Sequence, residues 1–103
     1  MNERVLQALG ATGTLINIAR GSIVDEAALA SALADGTIKA AGLDVFENEP
    51  HVPDALLAQD NAVLLPHVGS ATRETRQAMG DLCKANLDKW FAERAVLTLV
   101  PEL

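Results

Sequence analysis

Residues 14 to 45 read TLINIARGSIVDEAALASALADGTIKAAGLDV, a short apolar run, then an Ala- and Leu-rich amphipathic run, then a second short apolar run. Thr14 to Ala19 reads as a strand, which Arg20-Gly21 ends. Asp25 is placed to N-cap a helix over Glu26 to Asp35, with Val24 and Leu29 in the two positions of a hydrophobic staple and Gly36 just past the helix end. Ala28, Leu29, Ala32 and Leu33 fall on one face of that helix, a narrow stripe suited to packing on a sheet. Ala40 to Val45 then reads as a second strand, and its near-continuous apolar character suits burial on both faces, with Asp44 the polar exception. This alternation is the signature of a βαβ unit.

Outward from that core the same pattern continues. Glu3 to Leu9 reads as the end of a helix stopped near Gly10. Glu47 to Asn61 is loop-like, with Pro50 and Pro53 ahead of a short helical turn at Asp54 to Ala58. Ala62 to Leu65 supplies a third strand, ended by Pro66. Thr72 can cap a long last helix with Glu74 in its first turn, and Met79, Leu82, Cys83, Leu87, Trp90 and Phe91 form the stripe it would bury, which makes Cys83 a core thiol. Strands joined by connections of a dozen residues or more pair in parallel through right-handed crossovers. The expectation is an α/β fold: a parallel sheet flanked by helices, ending in a long C-terminal helix, with residues 1–103 forming one partial domain.

Composition narrows the partners. Half of the 103 residues are apolar, enough for a core, and aromatics are only 3%, so that core rests on Ala, Leu, Val and Ile. A formal net charge of −6 argues against nucleic acid and anionic membranes, which would be repelled at long range, and leaves small molecules or proteins. Cys83 is the single cysteine, so no internal disulfide can form, and nothing points to an oxidising compartment. No apolar run approaches the roughly 20 residues of a bilayer span, and Met1-Asn2-Glu3-Arg4 opens no signal-peptide pattern. A cytoplasmic location is expected.

In open α/β sheets ligands bind beyond the C-terminal strand ends, and the three successive ends here carry Arg20, Asp44 and His67, with Glu49 just past the second. Each alone could be a rim salt bridge or a loop-capping group. As a set, an arginine, two acids and a histidine on one rim suit a small carboxylate substrate. His51 fits a surface residue beside a proline-rich loop, and with no recognised ligand spacing no metal is expected.

Three segments carry a resemblance: Asn17-Ile18-Ala19-Arg20-Gly21-Ser22-Ile23-Val24-Asp25, then Gly42-Leu43-Asp44-Val45-Phe46 followed by Glu49-Pro50, then Pro66-His67-Val68-Gly69-Ser70-Ala71-Thr72. In this order and spacing the chain, from about Val5 to Asn86, resembles the D-isomer-specific 2-hydroxyacid dehydrogenases, in particular their glyoxylate and hydroxypyruvate reductase branch. The resemblance implies the C-terminal part of a Rossmann-like NAD(P)-binding domain. It also implies hydride transfer between NAD or NADP and a small 2-oxoacid or D-2-hydroxyacid. His67 matches the family's acid/base, a task suited to a group that titrates near working pH. Glu49 matches the carboxylate that orients that histidine and favours its protonated form, although Glu47 competes for the role. Arg20 matches the guanidinium that grips the substrate carboxylate through paired donors. Asp44 matches the acceptor for the nicotinamide carboxamide, against the alternative of a buried strand-end acid capping a loop. Around the ring the resemblance adds Ile18, Ala19, Gly69 and Ser70, with Arg20 and His67 also at the cofactor.

The sequence departs from the family in two respects. The phosphate-binding Gly-x-Gly-x-x-Gly turn and its ribose-reading acid are absent, since Gly10 and Gly13 are a lone pair, and most of a substrate domain is missing too. The expectation is either a truncated piece of a longer enzyme or a broken gene, with Met1 inside a family helix, and inactive by itself. Its uncovered apolar surfaces would make it a homo-oligomer, a dimer in the first instance, by an exchange of C-terminal helices. A nucleotide-sensing or assembly fragment without catalysis is the competing interpretation.

Overall fold

The computed structural model describes residues 1–101, which divide into two compact units, Met1–Gly69 and the segment from Ser70 onward. The first unit holds the sheet. Its elements run α1 (Glu3–Leu9), β1 (Thr14–Asn17), α2 (Glu26–Ala34), β2 (Ala40–Leu43), α3 (Asp54–Leu57) and β3 (Ala62–Leu64). The strands pair in parallel in the order β1-β2-β3, with Thr14 opposite Ala40 and Gly42 opposite Val63. Their C-terminal ends therefore share one edge.

Local chemistry sets the element ends. Asn2 caps α1 by accepting the Val5 N–H, and Asp25 caps α2 by accepting the Ala28 N–H at 3.0 Å. Gly10 and Gly36, at φ 78° and 76°, provide the left-handed exits after α1 and α2. Each strand is shorter than its apolar run. β1 stops at Asn17 because that side chain takes over the backbone groups of Ala19 and Arg20, and β2 stops at Leu43 because Asp44 turns to bind the loop after β3.

The core lies on one face of the sheet, where Leu15, Ala41 and Leu43 meet Leu6 of α1, Leu29, Ala32 and Leu33 of α2, and Leu56 of α3. Val24 and Leu29, the expected staple pair, are both in that core. The other face is open: Ile16 and Val63 are 63% and 64% exposed, and Ile18 and Leu65 are exposed beside them. This corrects the expected two-sided burial of β2, whose Ala41 and Leu43 are buried while Ala40 and Gly42 are half-covered. The helices that connect these strands contribute their apolar stripes to a single face, and within Met1–Gly69 no residue closes the other.

The second unit is α4 (Arg73–Glu93), capped where Thr72 Oγ1 accepts the Thr75 N–H, together with a return segment. Asn86 holds that segment by accepting the N–H groups of Leu97 and Thr98. No residue of α4 is buried: Met79, Leu82, Leu87, Trp90 and Phe91 are all exposed, and so is Cys83, which is not a core thiol. A helical stripe becomes core only against an opposing surface, and a few residues after Arg94 are too small to cover a 21-residue helix. No helix among the described residues is long and apolar enough to cross a membrane.

Candidate active site

The rim of the sheet is built from three loops, each fixed by side-chain to backbone hydrogen bonds. After β1, the buried Asn17 accepts the Ala19 N–H through Oδ1 at 3.1 Å and donates from Nδ2 to the Arg20 carbonyl at 2.9 Å. The Arg20 guanidinium donates to the Ala19 carbonyl at 2.6 Å, and the chain then enters a 3-10 turn at Gly21–Ile23. Gly21 must be glycine there, because a Cβ would fall 1.9 Å from the Phe46 carbonyl carbon. That contact seats the first loop against the second.

After β2, Asp44 is 5% exposed and its two oxygens accept the Val68 and Gly69 N–H groups, each at 2.7 Å. The Val68 N–H holds its carboxyl below the usual carboxylate range, against the opposing pull of burial, with the Gly69 N–H and nearby His67 adding to the effect. This clamp fixes the loop in which His67 adopts a left-handed backbone, φ 58°, a conformation that costs a non-glycine residue about 1–2 kcal/mol. Gly69 permits the clamp, since a Cβ on it would lie 2.8 Å from Asp44 Oδ2.

Glu49, beside the cis Glu49–Pro50 bond, joins the second loop to the third. Its Oε1 accepts the Phe46 N–H at 2.9 Å and its Oε2 lies 2.8 Å from His67 Nδ1. The imidazole hydrogen bond, followed by the Phe46 N–H, draws the Glu49 carboxyl below its ordinary value. Of the two acids that competed for the histidine, Glu49 holds it, while the Glu47 N–H is anchored elsewhere, on Glu26 Oε1 of α2 at 2.9 Å. With Nδ1 engaged by the carboxylate, Nε2 is the ring nitrogen left for a ligand.

Arg20, Glu49 and His67 line one open cavity of about 570 Å³ with Gly21, Phe46 and Asn48. A separate apolar depression of about 360 Å³ lies on the uncovered sheet face, where Ile16, Ile18, Gly42, Val63 and Leu65 surround an edge formed by Asp44. Ile18 and Asp44 thus meet in one hollow and the three catalytic candidates in another, and both lie within Met1–Gly69. Ala19 and Gly69 form backbone of the same loops. Ser70 opens the second unit. His51 is exposed.

Sequence reasoning assigned no role to Asn17, Glu26 or the Phe46 N–H. Asn17 did leave a signal. It occupies the inward register with Leu15, where a polar side chain must find partners. The bonds to Glu26 and Phe46 join segments only through the folded loop and leave no periodic trace.

A family model, the NAD binding domain of D-isomer specific 2-hydroxyacid dehydrogenases, matches residues 1–69. The chain belongs to this family. It is 54% identical over 97% of its length to glyoxylate/hydroxypyruvate reductase A of Arabidopsis thaliana, covering 32% of that protein. It is 52% identical over 84% of its length to a glyoxylate reductase of Pyrococcus furiosus, covering 26% of that one. Among solved structures it is similar to the NADPH-dependent glyoxylate/hydroxypyruvate reductase of Sinorhizobium meliloti in complex with NADP and malonate, at TM-score 0.93 and 61% identity, covering 96% of this chain and 31% of that one. The chain spans about a quarter to a third of the length of these relatives.

Proposed function

We propose that this 2-hydroxyacid dehydrogenase chain supplies the acid/base, the carboxylate grip and the nicotinamide-facing surface of an oxidoreductase that uses NAD or NADP to reduce a small 2-oxoacid such as glyoxylate or hydroxypyruvate. The observation that carries this reading is His67 Nδ1 on Glu49 Oε2 at 2.8 Å, in the cavity that Arg20 also lines. Arg20 would grip the substrate carboxylate with parallel guanidinium donors and draw electron density from the adjacent carbonyl. His67 in its imidazolium form would hydrogen-bond that carbonyl through Nε2 and deliver the proton as the alkoxide forms, leaving a neutral imidazole. Glu49 fixes the ring and balances the imidazolium charge.

The residues present suit a nicotinamide. Its flat ring matches the apolar hollow of Ile16, Ile18, Val63 and Leu65, and its carboxamide matches Asp44 at the edge, whose oxygens each retain a second lone pair. When bound, that group supplies or accepts the hydride. Ala19 and Gly69 offer close backbone approach beside it, and Ser70 belongs to the same proposed set. The open apolar sheet face supports a homo-oligomer, a dimer, and an exposed unpaired Cys83 suits the reducing cytoplasm.

The test replaces the matching third of the Sinorhizobium meliloti reductase with this chain. Turnover of glyoxylate with NADPH by the fusion is the expected result, together with no saturable NADH or NADPH oxidation by the 103-residue chain alone. A fusion that folds and binds NADPH yet reduces no 2-oxoacid overturns the reading.

A further inference from the structure

Two polar side chains are buried among the described residues, Asn17 at the end of β1 and Asp44 just past β2. Asp44 shapes the loop that carries His67. Asn17 stands in the corresponding place for Arg20, and the reading above gives it no part. We infer that Asn17 is a positioning residue for Arg20: its buried amide closes the turn Ile18-Ala19-Arg20 and so aims the guanidinium into the cavity it shares with His67. This inference rests on the reading of Arg20 as the group that grips the substrate carboxylate.

The geometry gives Asn17 both halves of the task. Oδ1 takes the Ala19 N–H and Nδ2 gives to the Arg20 carbonyl, so one planar amide fixes the backbone on both sides of the Ala19–Arg20 peptide bond. The Ala19 carbonyl within that bonded segment is the acceptor for the Arg20 guanidinium at 2.6 Å, so the direction of the side chain follows the shape of the turn. Asn17 is itself anchored. Its backbone carbonyl accepts the Asp44 N–H at 3.0 Å, which ties the turn to β2, and only 4% of the residue is exposed. Few other side chains could do this. Aspartate keeps the acceptor but sets a carboxylate oxygen against the Arg20 carbonyl oxygen, and alanine takes the Asn17 partner from the Ala19 N–H and leaves the Arg20 carbonyl only the long Ile23 N–H contact at 3.4 Å.

The experiment compares Asn17→Asp and Asn17→Ala with the parent in the reductase fusion, measuring KM for glyoxylate and for NADPH separately, alone and in an Arg20→Lys background. The expected result is a rise of about tenfold or more in KM for glyoxylate with KM for NADPH within about twofold, the size of effect that follows from losing one charge-assisted contact. In the Arg20→Lys background the same substitutions should add little, because a group acting through Arg20 has nothing further to remove. An unchanged KM for glyoxylate, a parallel rise in both KM values, or full additivity with Arg20→Lys overturns the inference. A parent fusion without turnover overturns the functional reading, and this inference with it, and is distinguished from the other outcomes by that control. In the isolated chain, Ala19 amide exchange should accelerate at least tenfold in Asn17→Ala while that of Leu29 stays constant. Equal protection in parent and variant counts against Asn17 as the closing group, and Asn17→Asp, which keeps the Ala19 bond, covers the case in which the alanine variant fails to fold.

Discussion

A methyl group on Gly69 would sit 2.8 Å from Asp44 Oδ2, against the very oxygen that the Gly69 N–H binds. Gly69→Ala should therefore open the clamp on the His67 loop and cost about 1–3 kcal/mol, the range for leaving a buried acceptor poorly paired, read as a lowered urea midpoint. A midpoint equal to the parent's would mean that the loop shifts without cost. The same clamp predicts the response to acid. Asp44 and Glu49 titrate below their ordinary values of 3.8 and 4.5 in the folded chain, so on acidification the unfolded chain takes up protons first. The stabilisation is complete above those ordinary values and is lost as pH falls through the lower folded ones. Urea titrations should give a stability that falls steeply below about pH 4.5, with a shallower fall in Asp44→Asn, whereas parallel profiles would remove the clamp from the explanation. At this scale the meeting of Arg20, Glu49 and His67 in one cavity was legible, because parallel strands bring the loops at their C-terminal ends to one rim. The loop-capping role of Asp44 was legible only as one of two alternatives, since which backbone N–H groups reach it depends on how the loop after β3 returns.

Helix starts and strand cores follow from local chemistry. Asp25 and Thr72 cap α2 and α4 where a short acceptor precedes an apolar period, and Thr72→Ala should weaken α4 by about 1 kcal/mol. Gly80 offers the opposite test. A Cβ there meets no atom within 4 Å, so Gly80→Ala should raise helix stability by about 1 kcal/mol, seen as greater helicity on heating. An unchanged or lower melting curve would mean that something packs against this position. Strand ends were less legible: Asn17 ends β1 through a turn of the residues just after it, and Asp44 ends β2 through a loop that a one-dimensional pattern does not bring near it. The stripe on α4 was read correctly as apolar and wrongly as buried. Periodicity reports which face seeks a partner, not whether that face is covered.

At the largest scale, the sheet has one covered face and one open face. The parallel order β1-β2-β3 brings three loops to one edge, and the core of Leu6, Leu29, Leu33 and Leu56 behind it holds that edge in register. Ile16, Ile18, Val63 and Leu65 lie uncovered on the other side, so the isolated chain should self-associate, and Val63→Lys should shift light scattering toward the monomer. A parent chain that is monomeric at high concentration would contradict this. The central claim is that Arg20, Glu49 and His67 act together on a 2-oxoacid, and its most direct measurement is glyoxylate reduction by the reductase fusion with and without His67→Gln. The account predicts that kcat falls by about 10²–10⁴-fold with KM for NADPH nearly unchanged, the loss expected for a missing acid/base. Retention of kcat within a few-fold would contradict it.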